Sequence, residues 1–531
     1  MNNVRAAIAA WQSQIGDHAV SVAETTREIY QTATFATTQQ IPAVLYPANR
    51  DEVQACMVIA NEYRVPVYPI SRGKNWGYGS RVPVQDGCVV MDLAGLNRIV
   101  AFDEDLAYVT LEAGVTQQQL YEFLEERHSN LFFSATGSAT DSSLVGNVLE
   151  RGLGEGPYGD RFAYVCGFEV VLPTGELVHT GFGRFSGAKA TPINKWGVGP
   201  YLDGLFTQSN LGIVTQMTLW LTPKPKHFEI VWYAVEDDHK LEALVDAIRF
   251  LKLSGVVQGG FVIANDIRML SYHQQYPWAE SNGQTPLSPE LRQQLNQTWG
   301  DGKWSGEAAI YAPNHAIGKV VRQTIEETLA PLVDKLCIFN DEMLHLSSSA
   351  FAAQYPGLDQ QEAIRWYQEN PKRGIPNDLS MSMMYWRKHM AYPHGQWDPD
   401  RDRCGLIWYS PAVPFRGSDV RKAVNLLTDI AWSYGIEPSL GLNCITERNI
   451  NIIAAIVYDR DVPGEDERAL CCYKAMCQAL NAVGYIPYRL GIYAMNDLPA
   501  VQDDYQDVLY RLKQTFDPNH ILAPGRYEPK R

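Results

Sequence analysis

The residues best placed to do chemistry lie in a short loop, PISRGKNWGYG, at residues 69–79. Gly73, Gly77 and Gly79 fall within seven residues of one another, between two apolar segments. Glycine adopts backbone conformations closed to other residues and lets the chain approach a ligand closely, so such a loop can turn several N–H groups onto a pyrophosphate. It is not the G-x-G-x-x-G turn that opens a helix, nor a Walker loop, since no Gly-Lys-Ser or Gly-Lys-Thr follows. An ordinary glycine turn would have the same composition. Near the other end of the chain, IPYRLG carries Tyr488 beside Arg489. Taken alone, a Tyr-Arg pair is more often a surface ion pair than a ligand clamp.

Other chemistries find little support. The nine cysteines, Cys56, Cys88, Cys166, Cys337, Cys404, Cys444, Cys471, Cys472 and Cys477, have neither CxxC spacing for zinc nor CxxCH for haem and are expected to be reduced and mostly buried. Histidines do not cluster with acidic residues, so no metal site is expected. At 531 residues, 46% hydrophobic and 20% charged, the chain is long enough for two or more cores. Its 45 Lys and Arg against 60 Asp and Glu give a net charge of −15, which repels phosphate backbones and argues against a nucleic-acid partner. The N-terminus lacks a charged region followed by an unbroken apolar stretch, and the longest apolar run, residues 452–458, is far short of a membrane span. These features predict a cytoplasmic chain with no membrane partner.

The elements that must hold the loop are partly visible. Residues 41–67 read as strand, helix, strand, ending in the glycine loop. Short strands follow at 88–93, 98–102 and 107–111, a helix at 116–127, a glycine- and serine-rich stretch at 134–158, and strands at 164–172 and 212–221. Two prolines within residues 223–226 mark a boundary, because they cannot continue a ladder. Beyond it, helices at 240–251, 315–332 and 420–434 and a strand at 451–458 suit a sheet backed by helices. Residues 356–403 look irregular. A helix at 503–515 leads to FDPNHILAPGR, expected to return to the first domain.

The glycine loop, SSLVGN (142–147), ERGLGEGPYGD (150–160), GPYLDGLFTQSNLGIVT (199–215) and FDPNHILAPGR (516–526), in this order and spacing, resemble the vanillyl-alcohol oxidase and p-cresol methylhydroxylase flavoprotein family from about residue 41 to the C-terminus. The resemblance implies an α+β fold: a two-subdomain FAD-binding domain of the p-cresol methylhydroxylase type, and a cap domain with an antiparallel sheet backed by helices. The boundaries implied are residues 1–225, completed by 485–531, for FAD, and 226–484 for the cap. By the same resemblance Ser71, Arg72, Gly73, Lys74 and Asn75 wrap the pyrophosphate, Gly146, Asn147, Gly212, Ile213 and Val214 line the rest of the dinucleotide, and Arg526 closes the site.

Members of the 4-phenol-oxidising branch bind the phenolic oxygen with two tyrosines and an arginine, and Tyr78, Tyr488 and Arg489 match those places. Hydride leaves a benzylic carbon readily only when the para oxygen is already a phenolate, and a free phenol ionises near pH ~10, so a guanidinium and two hydroxyl donors must favour the anion. Asp160 matches the acidic residue near flavin N5 and is expected to activate water for addition to a p-quinone methide. A helix cap or loop hydrogen bond is its alternative role.

Two departures stand out. The histidine that links FAD in oxidase members aligns with Leu406, and the linking tyrosine of the methylhydroxylase aligns closest to Gly395. The first loop has no histidine, only Asn75 and Trp76 near the place. Tyr392, His394 and Cys404 lie nearby, but non-covalent FAD is predicted. In the cap, Asn451 and Ile452 replace a histidine pair that faces the substrate, which implies a different and larger benzylic substituent, such as a tyrosine-derived one. Family habit implies a homodimer. The electron acceptor, oxygen or a partner protein, stays open. Competing readings are an FAD-dependent oxidoreductase of a non-phenolic alcohol, sugar or 2-hydroxy acid, and a non-catalytic flavin-binding protein.

Overall fold

The computed structural model describes residues 2–393, 395–501 and 503–528. Its first layer is a small sheet in the order Val20–Ser21, Val44–Leu45, Val89–Asp92, Val67–Ile70, in which the last three strands are parallel. The helix Arg50–Tyr63 makes the crossover between two of them. It starts where the Asn49 side chain accepts the Glu52 N–H, and it stops at Arg64, which adopts the left-handed conformation. Val53, Cys56, Met57 and Ala60, spaced at one helical face, bury against the sheet. The strand Val67–Ile70 therefore ends with its carboxyl end feeding the glycine loop, where open α/β sheets place their ligands.

A second, antiparallel sheet follows, in the order Ile99–Asp103, Tyr108–Glu112, Ile213–Trp220, Val165–Val171, Leu177–His179. The two sheets share one core, drawn from residues 7–221 and completed by Ile521 and Leu522. The C-terminal segment does return: Val67 donates its N–H to the Ile521 carbonyl and the Ala523 N–H to the Val67 carbonyl, both at 2.8 Å. The ladder of Leu131–Phe132 with Thr222–Pro223 ends at Pro223, as two prolines require.

From His227 the chain builds a large antiparallel sheet, ordered Lys335–Phe339, His227–Val235, Trp304–Ala312, Phe261–Asn265, Ser439–Cys444, Asn449–Asp459, Cys404–Tyr409. One face is covered by the helices Leu241–Leu253, His315–Leu329, Gly417–Ser433 and Glu465–Ala482, making a second core that also takes in Leu490, Ile492 and Ala494. The architecture is α+β, with an antiparallel sheet backed by helices as expected. The irregular stretch 356–403 holds a helix, Gln360–Gln368, and short 3-10 turns. All nine cysteines are free, and all but Cys337 and Cys471 are buried.

Strand pleating corrects one expectation. Ile450, Ile452, Ala454, Ile456 and Tyr458 point into the helix-side core, and Ile452 is 0% exposed. Adjacent residues face opposite ways, so Asn451 and Ile452 cannot both face a substrate. Asn451 shares the other face with Asn449 and Ile453, and this is the face that meets the glycine loop through Trp408.

Candidate flavin and substrate site

The glycine loop is pinned to the large sheet from several directions. Trp408 donates its backbone N–H to the Gly77 carbonyl at 3.2 Å and its indole N–H to the Trp76 carbonyl at 3.1 Å. Gly77 has φ 74°, and a Cβ there would lie 2.2 Å from Trp408 Cδ1, so only glycine fits this contact. Behind the loop, buried Asp400 accepts from Trp76 Nε1 (3.1 Å) and Ser80 Oγ (2.8 Å), with Arg81 at 3.6 Å. Burial pushes its carboxyl up to about 7 against the pull of Arg81.

Part of the expected dinucleotide set meets the loop. A Cβ on Gly146 would sit 3.3 Å from Ser71 Oγ, so the loop and the short helix Leu144–Leu149 abut. Lys74 pairs with Asp141 at 3.0 Å and Arg72 donates to its carbonyl at 3.4 Å. Asn147 Oδ1 is buried with no hydrogen-bond partner. Ile213 and Val214 are buried in the first core, and Gly212 lies against Val170 and Phe206. The donor set suits FAD: loop N–H groups beside Arg72 and Lys74 for an anionic pyrophosphate, and a glycine surface with an unsatisfied amide for the rest.

Tyr78, Tyr488 and Arg489 converge, although Tyr78 is some four hundred residues away in sequence. The Arg489 guanidinium lies 4.3 Å from the Tyr78 ring centroid. Tyr488 is close enough to both for each to perturb its phenol. The Tyr78 hydroxyl shares a 2.9 Å bond with Ser410 Oγ, and Tyr488 donates its N–H to the Ser410 carbonyl at 3.0 Å. Asn75 Oδ1 accepts from Arg489 Nη2 at 2.5 Å, tying the pyrophosphate loop to the clamp. Burial raises the Tyr78 phenol well above its ordinary value, so it stays a neutral donor at physiological pH.

Glu150, which opens the ERGLGEGPYGD motif, is a site residue that reading the sequence missed. Its carboxylate pairs with Arg526 and lies 3.5 Å from Arg489 Nε, and Tyr527 donates to it at 3.3 Å. Burial alone would raise the Glu150 carboxyl, but Arg526 and Arg489 outweigh it and hold it below the usual range. Arg526 also donates to Tyr68 Oη at 2.7 Å. Ser410 was missed as well. The only sequence signal for Glu150 was its place inside a motif already singled out.

Among the described residues no hydrogen bond or ion pair joins Asp160 to the clamp. It precedes the 3-10 turn Arg161–Tyr164 without capping it by its side chain. The turn between Ser439–Cys444 and Asn449–Asp459 reaches it: Ile445 packs on Gly159, and Glu447 lies in electrostatic range. Burial raises its carboxyl, opposed by Lys195. Of the candidate linking positions, Leu406 is fully buried with its N–H on the Thr34 carbonyl, and Gly395 is exposed. Burial raises the thiol of Cys404 and the phenol of Tyr392, which makes both poor nucleophiles. His394 lies outside the described residues.

A glycine loop at the carboxyl end of a parallel strand, pinned against a large antiparallel sheet by Trp408 and set beside a Tyr-Arg clamp, defines an FAD-dependent oxidoreductase. Residues 41–181 match the FAD binding domain family. The chain is 47% identical over 524 residues, 98% of its length and 97% of the relative's, to 1'-carboxy-chondrochloren decarboxylase of Chondromyces crocatus. It is 31% identical to the 4-cresol dehydrogenase [hydroxylating] flavoprotein subunit of Pseudomonas putida, over 90% of this chain and 85% of that one. The structure of p-cresol methylhydroxylase with substrate bound superposes with a TM-score of 0.88 at 28% identity, covering 99% of this chain and 97% of that one. The chain belongs to the p-cresol methylhydroxylase family of FAD-dependent flavoproteins. No helix among the described residues is long and apolar enough to cross a membrane.

Proposed function

We propose that the chain oxidises a para-substituted phenol at its benzylic carbon, with non-covalent FAD as the oxidant. The observation that carries this reading is the convergence of Tyr78, Tyr488 and Arg489 beside the glycine loop. When bound, FAD supplies a two-electron acceptor that takes a hydride at N5.

The charge balance of the clamp supports a phenolate. Arg489 and Arg526 share one carboxylate, Glu150, so two positive charges meet one negative. A bound phenolate brings the cluster to neutrality, which favours ionisation of the phenol below its ordinary pKa. Two tyrosine hydroxyls that remain protonated can donate to the same oxygen. The phenolate then pushes electron density through the ring, the benzylic hydride leaves, and a p-quinone methide remains. Asp160, reached by the cap-sheet turn that carries Ile445 and Glu447, is the group assigned to deprotonate water as it adds to that carbon.

The names of the two relatives, one hydroxylating and one a decarboxylase, correspond to two outcomes open to a p-quinone methide. Addition of water gives a benzylic alcohol. Loss of CO2 from a neighbouring carboxylate gives an alkene. The test is an anaerobic titration of the yellow protein with 4-ethylphenol and vanillyl alcohol, following the flavin's visible absorbance. Bleaching by either supports benzylic oxidation; a flavin that dithionite reduces but no para-substituted phenol bleaches would remove it.

A further inference from the structure

We infer that the cap carries a carboxylate subsite built on Arg268, and that the substrate is a phenol whose para side chain bears a carboxylate on the carbon next to the benzylic one. The inference rests on the phenol-oxidising reading above and names its substrate class.

The floor of the subsite is Gly441. It lies in the middle of the large sheet, opposite Ile453 on one side and Ala264 on the other, and its pleat direction is away from the helices. Gly441 is buried, yet no atom beyond its two chain neighbours comes within 4 Å of where its Cβ would stand, so the sheet is hollow at this point. Any side chain there would fill the hollow. On one side the row Ala412, Asn451, Asn443 borders it, joined by strand register. On the other side stands Trp408, whose neighbour on the loop is Gly77 and, one residue on, the clamp tyrosine Tyr78.

Over Trp408 lies Arg268, its guanidinium carbon 5.3 Å from the ring centroid. The arginine is half-buried and its Nε donates to Tyr272 Oη at 3.0 Å, but Nη1 is shut off from solvent with no hydrogen-bond partner. Among the described residues no carboxylate forms an ion pair with it. The acidic residue two positions before it, Asp266, is already taken by Arg292 and Lys303. Arg268 also sits in the first turn of the helix Asp266–His273, where the helix dipole disfavours a cation. A partly desolvated guanidinium without a counter-ion is costly, and in a chain with a net charge of −15 carboxylates are plentiful elsewhere. An anion from outside the chain meets that need.

The opposite end of the hollow orients the anion. Thr446 Oγ1 donates to Asn449 Oδ1 (2.6 Å) and Asn449 Nδ2 to Asn451 Oδ1 (3.0 Å), so Asn451 is left presenting its amide N–H groups. Beyond them stand Asp160 and Glu447, each with a cation beside it, Lys195 and Arg448. That end offers no unpaired cation, and a carboxylate is drawn to Arg268 instead. With the phenolate on Arg489 and the carboxylate on Arg268, the benzylic carbon is held between two fixed charges.

The chemistry balances without another reactant. Hydride removal from the benzylic carbon sends two electrons to the flavin and leaves a quinone methide with a carboxylate on the adjacent carbon. The bond to that carboxylate then breaks, its electron pair becomes the new C=C bond, the ring pair returns to the phenolate oxygen, and CO2 departs. Water is not consumed.

The test compares 3-(4-hydroxyphenyl)propanoate with 4-propylphenol, using the wild-type holoenzyme, Arg268→Gln and Arg268→Lys. We expect kcat/KM in the wild type to favour the propanoate by at least tenfold, with 4-vinylphenol and CO2 formed in equal amounts. In Arg268→Gln the propanoate should lose on the order of tenfold to a hundredfold while 4-propylphenol stays within about twofold, as for loss of one charge-assisted contact. Arg268→Lys keeps the charge without the planar fork and should fall between the two. It decides the matter if the glutamine variant does not fold. Equal losses for both phenols in the variants, or a wild type that prefers 4-propylphenol, would overturn the subsite while leaving phenol oxidation standing. Oxidation of neither phenol would overturn both readings.

Discussion

Arg489 lies over the face of the Tyr78 ring, 4.3 Å from its centroid, so the cation that is to hold a phenolate is itself held by one of the two tyrosines that share the task. Asn75 and Glu150 fix the same guanidinium from the other sides. Arg489→Met should therefore lower kcat/KM for a para-alkylphenol on the order of a hundredfold to a thousandfold, the usual cost of removing a donor aimed at developing charge. FAD should remain bound, because the loop loses only the Asn75 contact and keeps its anchors on Trp408 and Asp400. Tyr78→Phe, which keeps the ring under Arg489 and removes one donor, should cost less. Steady-state kinetics beside the flavin-to-protein absorbance ratio checks both, and a variant at wild-type rate would mean that no phenolate forms there.

Asp160 makes a prediction that separates two steps. Its carboxyl is raised above the ordinary value by burial, so the base form is lost at a higher pH than for a free aspartate. With 4-ethylphenol, the fraction of product leaving as alcohol should fall as pH drops through the Asp160 pKa, and 4-vinylphenol should replace it. Asp160→Asn should give mostly 4-vinylphenol at every pH, with the rate of flavin bleaching little changed. If bleaching slows as much as hydration, Asp160 acts before the quinone methide forms.

Gly77 and Gly187 share the same φ of 74° but not the same surroundings. A Cβ on Gly187 meets nothing within 4 Å, whereas one on Gly77 meets the Trp408 indole. Both alanine variants pay about 1–2 kcal/mol for the left-handed backbone. Only Gly77→Ala should also displace the loop, lowering FAD content and the Tm well beyond the Gly187→Ala control. Equal behaviour of the two in thermal melts would show that the loop tolerates movement off Trp408.

How far the sequence led depends on range. Local signals were readable: the helix Arg50–Tyr63 between two apolar strands, the capping threonine Thr116 before Gln117–Glu126, and the glycine loop all announce themselves within a few residues. The clamp was legible only through resemblance, since nothing local joins Tyr78 to residues 488 and 489. Glu150 was hidden because a glutamate gains its meaning from Arg489 and Arg526, both more than three hundred residues away. The pairing of Asn451 with Ile452 misled because a two-residue motif was carried over without the strand's period of two. Strands such as Phe261–Asn265 and Cys404–Tyr409 were missed for a related reason: short, two-sided apolar runs carry no periodicity of their own.

Attachment of the flavin has a direct test. Leu406 and Gly395 offer no nucleophile, and the raised thiol of Cys404 and phenol of Tyr392 stay protonated at neutral pH. Precipitation with acid should release all yellow colour into the supernatant. Colour in the pellet would locate a covalent bond, and mass mapping would then assign the residue.

Asp400 couples stability to pH through the loop it holds. Its carboxyl is pushed by burial to about 7, against 3.8 for the unperturbed group, so between those values the folded chain binds a proton that the unfolded chain does not. Stability from this group is fully present below pH 3.8 and declines as pH rises, until the whole of it is lost above about 7. The loss amounts to a few kcal/mol at most, accumulating at about 1.4 kcal/mol per pH unit across that window. Asp400→Asn can still accept from Trp76 and donate to Ser80, so the loop keeps its anchors while the titration disappears. The variant should melt with a flatter dependence on pH between 5 and 8, and above pH 7 it should be the more stable of the two. An unchanged slope would show that Arg81, at 3.6 Å, keeps Asp400 ionised in the folded state after all.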